Sequence, residues 1–238
     1  MRCPSCHRPV DHEANSCYSC EYSLADAEKK FGANQVSMRR IHDAADCLRV
    51  REIREVEDTL DDLEDRFPQL MFAAYLGELN DSISVAELGF WLLNHARIGD
   101  SGYSRPNDCG ILFVLDVERR QLGVSLGYLT EMLLSEEDCL RALTASRSHF
   151  INGEFGAGVI SFFRKVEKCL LKQAKKMKGL SREEKQILMM KNHHGPNTLV
   201  LPAPVMPVQF DANEEQIREH NEPFEHLIFR NEFESERE

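Results

Sequence analysis

At 238 residues the chain can hold one well-cored domain with accessories, and 40 Asp/Glu against 29 Lys/Arg leave a net charge of -11. That balance weighs against a protein built around a nucleic-acid polyanion. No run approaches the roughly 18 to 20 apolar residues of a bilayer span, and Met1-Arg2-Cys3 opens without the apolar stretch of a secretory leader.

Residues 1–32 read as a zinc ribbon. Cys3-x-x-Cys6 and Cys17-x-x-Cys20 are two thiol pairs separated by the ten residues 7–16, and each pair can supply two ligands to one tetrahedral ion. So short a segment has almost no core, so metal binding would be its folding energy. A pair of disulfides is the alternative. Cys3-Pro4-Ser5-Cys6-His7 also spells the c-type haem attachment pattern, but Cys20 runs into Glu21 rather than His, and no export signal accompanies it. Four thiols fill the shell, which leaves His7 and His12 as exposed bystanders. Cys47, Cys109, Cys139 and Cys169 are scattered, and such usage points to a reducing, cytoplasmic setting.

Within the ribbon segment, Leu24–Phe31 reads as a short helix ending at Gly32, and residues 33–50 as a polar connector. Ile53, Val56, Leu60, Leu63 and Phe67 then recur at helical spacing, with Glu55, Asp58, Asp61, Asp62 and Asp65 on the other face, until Pro68 stops the helix. Residues 70–76 form an apolar run, most simply a buried strand. Ser84 and Glu87 make a capping box that opens a helix, which Gly99 ends in a left-handed conformation. Residues 111–115 are a second apolar run. Arg119 and Arg120 turn the chain into Leu122, Val124 and Leu126, the alternation of a half-buried strand. Ser135 caps a further helix, and residues 153–158 turn into a long one carrying Val159, Phe162, Phe163, Val166, Cys169 and Leu170.

Strands flanked by helices in this order argue for a layered α/β domain over residues 51–180. Residues 181–238 read as a helical segment, a Pro-rich linker (202–207) and a flexible acidic tail. Residues 164–191 hold ten Lys/Arg against three Glu, and 211–238 hold ten Asp/Glu against three Arg. The apolar tail residues Phe224, Leu227, Ile228 and Phe229 suit a partner's groove.

Four short motifs carry a family resemblance. They are Ala96-Arg97-Ile98-Gly99, Asp108-Cys109-Gly110-Ile111-Leu112, Gly127-Tyr128-Leu129-Thr130-Glu131 and Phe150-Ile151-Asn152-Gly153-Glu154-Phe155. In order and spacing they resemble Trp-Gly-Ile-Gly, Asp-Asn-Gly-Val-Leu, Gly-Tyr-Gly-Leu-Glu and Phe-Arg-x-Gly-Asp-Tyr of the TPM domain. That module is shared by photosystem-repair proteins of the thylakoid lumen and a modulator of acetylcholine receptors, and some bacterial members also carry an amino-terminal zinc ribbon. The resemblance implies a three-layer α/β/α sandwich, an acid phosphatase activity, and an acidic site for a divalent cation such as calcium or magnesium. Carried over by position, Asp108 and Glu131 would bind the cation, with Glu136 as a third acid. Cys109, Leu129 and Arg97 depart from the family pattern, and Leu129 in place of Gly would crowd that site.

Other catalytic patterns fail. No Cys is followed six residues on by the Arg of a cysteine phosphatase. Asp116, in Phe113-Val114-Leu115-Asp116-Val117-Glu118, lacks the second Asp of a haloacid-dehalogenase nucleophile and reads as a hairpin residue. Gly153, Gly156 and Gly158 do not spell a dinucleotide fingerprint, and His193-His194 falls in a Gly/Pro loop. Two readings remain. One is a cytoplasmic adaptor binding a protein partner through ribbon or acidic tail; the other is a metal-dependent phosphomonoesterase using Asp108 and Glu131. Nucleic-acid binding is a weaker third, because the ribbon has few basic residues and only Tyr18 and Tyr22 as aromatics.

Overall fold

The computed structural model describes residues 2–11, 14–99, 107–178 and 198–201. The elements are α1 (Leu24–Phe31), β1 (Val36–Met38), β2 (Ile41–Asp43), α2 (Val50–Arg66), β3 (Met71–Gly77), α3 (Val85–His95) and β4 (Ala96–Ile98). A 3-10 turn at Asn107–Cys109 leads into β5 (Gly110–Asp116), β6 (Gln121–Leu126), α4 (Tyr128–Glu131), α5 (Glu136–Ile151), α6 (Phe155–Lys178) and β7 (Thr198–Leu201).

The two apolar runs become the centre of a five-stranded sheet, ordered β2-β3-β5-β6-β7. β2, β3 and β5 run parallel; β6 is antiparallel to β5, and β7 to β6. β3 and β5 are buried at every position, the mark of strands covered on both faces. Their alternate residues divide the interior. Phe72, Ala74 and Leu76 with Ile111, Phe113 and Leu115 meet Val56, Leu60, Phe162 and Phe163 of α2 and α6, joined by Leu143 of α5. Met71, Ala73 and Tyr75 with Leu112 and Val114 meet Leu88, Trp91 and Leu92 of α3 and Phe31 of α1. The result is the three-layer α/β/α sandwich.

Several local expectations change. The connector drawn over residues 33–50 contains two strands: β2 joins the main sheet with Ile41 opposite Ala74, and β1 pairs in parallel with β4, Val36 opposite Ala96. Three-residue strands are too short for a period to register, and their ladders come from distant partners. α3 ends at His95, and Gly99 takes its positive φ of 102° only after β4, where its N–H donates to the Met38 carbonyl at 3.0 Å. β6 is buried almost throughout rather than half-buried, because α3 covers its second face.

The expected turn over 153–158 closes by Glu154, and Gly156 and Gly158 lie inside α6. A Cβ at Gly156 would meet the Glu52 side chain at 2.7 Å, and one at Gly158 the Phe150 ring at 2.5 Å. These glycines let α6 approach α2 and α5 closely. Within 181–238, residues 198–201 form the edge strand β7. The helical segment, the linker and the tail lie outside the described residues.

Candidate metal centre and acidic corner

The two Cys-x-x-Cys segments fold as equivalent knuckles. The Cys3 N–H donates to the Arg8 carbonyl at 2.9 Å, and the His7 N–H donates to the Cys3 carbonyl at 2.9 Å. In the second knuckle Cys17 N–H reaches the Tyr22 carbonyl at 2.9 Å, and Glu21 N–H reaches the Cys17 carbonyl at 2.8 Å. The residue after each second cysteine, His7 at φ 59° and Glu21 at φ 61°, is left-handed. That conformation reverses the chain so that both thiols of a pair face one point. His7 is therefore a turn residue, exposed as expected; His12 lies outside the described residues.

The four sulfurs lie within 4.8 Å of one another, with Cys3 Sγ 3.5 Å from Cys20 Sγ and Cys6 Sγ 3.6 Å from Cys17 Sγ. All eight cysteines are free, and these 3.5 and 3.6 Å separations are well beyond a disulfide bond of about 2.05 Å. A tetrahedral ion with metal–sulfur bonds of about 2.3 Å needs sulfurs about 3.8 Å apart, which these positions approach. Backbone N–H groups support them: Cys6 N–H lies 3.5 Å from Cys3 Sγ, and Ser19 N–H 3.4 Å from Cys17 Sγ. The Ser19 N–H draws the Cys17 thiol down to about 6, whereas burial pushes Cys3 up to about 12. Four thiolates this close need a cation among them. The cluster can hold a metal ion.

The ribbon is docked on the sandwich. Tyr22 stands edge-on to Phe90 with ring centroids 6.3 Å apart, Phe31 packs on Trp91 at 5.4 Å, and the Trp91 Nε1–H donates to the Gly32 carbonyl at 2.8 Å. On the other side Arg2, beside the first ligand, directs Nε and Nη2 at Glu136 Oε2, 3.2 and 2.9 Å away. No sequence signal marks Arg2 for this role, since its partner lies 134 residues away.

The three acids are placed differently from one another. Asp108 is exposed on the 3-10 turn before β5. Glu131 ends α4 and is fully buried, and burial pushes its carboxyl up to about 8. α4 is pinned to the start of β5: Gly127 N–H and Thr130 Oγ1–H donate to the Gly110 carbonyl at 2.8 and 2.9 Å. The segments bearing Asp108 and Glu131 thus adjoin, while Glu136, in the first turn of α5, is engaged by Arg2. Among the described residues, the four cysteines form a close group of potential ligands; these three acids do not form such a group.

Leu129 does not crowd the corner, because its side chain faces solvent at 41% exposure. Asp116 is the hairpin residue expected, accepting from the Arg119 N–H at 3.2 Å and Nε at 2.6 Å.

Fold and cysteines together define an α/β/α sandwich joined to a ribbon whose four cysteines can hold a metal ion. The TPM domain matches residues 41–169, just over half of the chain, and the chain belongs to that family. The matched span runs from β2 into α6; the ribbon precedes it. No curated protein matches the chain. Among the described residues no helix is long and apolar enough to cross a membrane.

Proposed function

We propose that this protein is a protein-interaction module in which a zinc-loaded ribbon and the α4–α5 corner form one docking surface. The observation that carries this reading is the Arg2–Glu136 ion pair at 2.9 Å, which engages the third acid of the site implied by the family in holding the ribbon to the sandwich. Beside it the corner presents Tyr128, Leu129 and Leu140 at 44%, 41% and 39% exposure, and the second knuckle presents Tyr18 at 72%. Aromatic and aliphatic side chains of this kind anchor protein interfaces. Zinc suits four thiolates because it is borderline-soft, tetrahedral and without redox chemistry, and its part here is structural. Its thiolates and the four further free thiols suit a reducing compartment such as the cytoplasm.

A second reading rests on the pinning of α4 against β5. With Asp108 adjoining a carboxyl held up by burial, a calcium or magnesium ion between them would polarise a phosphomonoester.

Hydrolysis of para-nitrophenyl phosphate by zinc-loaded protein, with and without calcium or magnesium, separates the two. The interaction reading expects no turnover in wild type or Asp108→Ala. It also expects a purified partner to lose binding to Cys17→Ser/Cys20→Ser and to Tyr128→Ser/Leu129→Ser alike. Cation-stimulated turnover that vanishes in folded Asp108→Ala would overturn it in favour of the phosphatase.

A further inference from the structure

The surface of α6 is at odds with the charge of the whole protein. Over residues 155–178 it carries seven Lys/Arg and one Glu, in a chain of net charge -11. The single acid, Glu167, is engaged by Arg66. Arg164, Lys168, Lys172, Lys175 and Lys176 are exposed, and no described carboxylate forms an ion pair with any of them. Spacings of four, four and three residues place Arg164, Lys168, Lys172 and Lys175 along one side of the helix. A helix dipole accounts for cations in the last turn only, and Arg164 and Lys168 precede the end at Lys178 by roughly three or more turns of 3.6 residues. The stripe is therefore a concentrated positive surface; the acidic helix α2 packs on α6, but its Asp61 and Glu64 pair with Arg40, and its Glu55 with Arg51.

The rest of the chain supplies the matching charge. Residues 211–238 hold ten Asp/Glu and three Arg, which is seven of the eleven net negative charges. Chain geometry makes the approach possible. β7 ends at Leu201 on the edge of the sheet, opposite Leu122. α5 packs on β7 and on α6, so the stripe lies about two interhelical spacings away, roughly 20 Å. The nine residues 202–210 can span up to about 30 Å. A segment tethered at that range acts at an effective concentration on the order of millimolar, whereas an external polyanion must approach a protein of net charge -11.

We propose that the cationic stripe of α6 is the docking surface of the chain's own acidic carboxyl-terminal segment, residues 211–238. The contact is electrostatic and covers this strongly basic helix face. This inference is independent of the ribbon and of the acidic corner.

The test is zero-length carbodiimide coupling of carboxylates to lysine amines in the full-length protein, mapped by mass spectrometry. Cross-links are expected from Lys168, Lys172 and Lys175 to acids of 211–238. They should fall at least about five-fold at 1 M salt, where the screening length is about 3 Å. In K168E/K172E/K175E and in the milder K168Q/K172Q/K175Q, whose exposed positions leave the core untouched, cross-links from the tail to neighbouring Lys176 should fall comparably. Exposed Lys29, on α1, is the internal control. Tail cross-links that favour Lys29 equally, or that persist in both variants, would overturn the proposal. So would hybrid cross-links in a mixture of light and isotope-labelled protein, which would put the segment on a second copy.

Discussion

Burying a carboxyl in a sandwich has a consequence that titration exposes. Glu131 is fully buried, and its proton is held up to about 8 against an ordinary 4.5. The folded state keeps this proton where the unfolded state gives it up. The associated stability is therefore complete below pH 4.5 and is lost as the pH rises through 4.5 towards 8. At about 1.4 kcal/mol per pH unit the loss reaches about 3 kcal/mol at pH 7, a large share of a domain's typical 5–15 kcal/mol. Glu131→Gln keeps the shape and removes the titration. Its extra amide hydrogen adds a cost of about 1 kcal/mol that does not vary with pH, so the informative quantity is how the difference between variant and wild type changes with pH. Urea unfolding at pH 5 and pH 8 should show the variant gaining several kcal/mol relative to wild type between the two. An unchanged difference would refute the assignment of a buried, protonated carboxyl. Millimolar calcium provides a second reading: if a cation sits beside Glu131, it should flatten the wild-type dependence and leave the variant unmoved.

Metal analysis of the purified protein should find one equivalent per chain, lost in Cys17→Ser and on chelation, while the sandwich still unfolds cooperatively in calorimetry on its own apolar core. Arg2→Ala breaks a pair whose side chains are 34% and 39% exposed, so it should cost only about 0.2–1 kcal/mol in urea titration and less at high salt. Gly158→Ala sets helix propensity, a gain of about 1 kcal/mol, against overpacking, a cost of about 1–3 kcal/mol. Phe150 is stacked on Phe113 with centroids 5.6 Å apart and cannot retreat, so the melting temperature should fall rather than rise.

What the sequence makes legible is what neighbours in the chain decide. Ser84 and Glu87 announce α3 because the Glu87 N–H meets the Ser84 hydroxyl 3.1 Å away within one turn, and Ser135 with Asp138 does the same for α5. The cysteine ligands are legible for a similar reason, since each pair is closed by its own four-residue turn. β1, β2 and β7 are three or four residues long, and each is a strand only because a distant strand offers a ladder. The glycines of α6 mislead in the opposite direction: read locally they are a turn, whereas packing against Glu52 and Phe150 makes them helix.

The acidic corner shows why site residues transfer less well than fold. A family motif preserves backbone, and the backbone here does bring the Asp108 turn against α4. Charge is decided by whatever arrives from outside the motif, and in this chain that is the ribbon. Arg2 is placed by a knuckle whose shape depends on four sulfurs, and it engages Glu136 at 2.9 Å. On a sandwich without a ribbon Glu136 would lose this partner. Coupling of this kind makes Arg2→Ala informative beyond its small cost in stability. If freeing Glu136 raises calcium affinity at the corner, ribbon and acidic site are linked through a single guanidinium. If it does not, the ribbon serves docking alone.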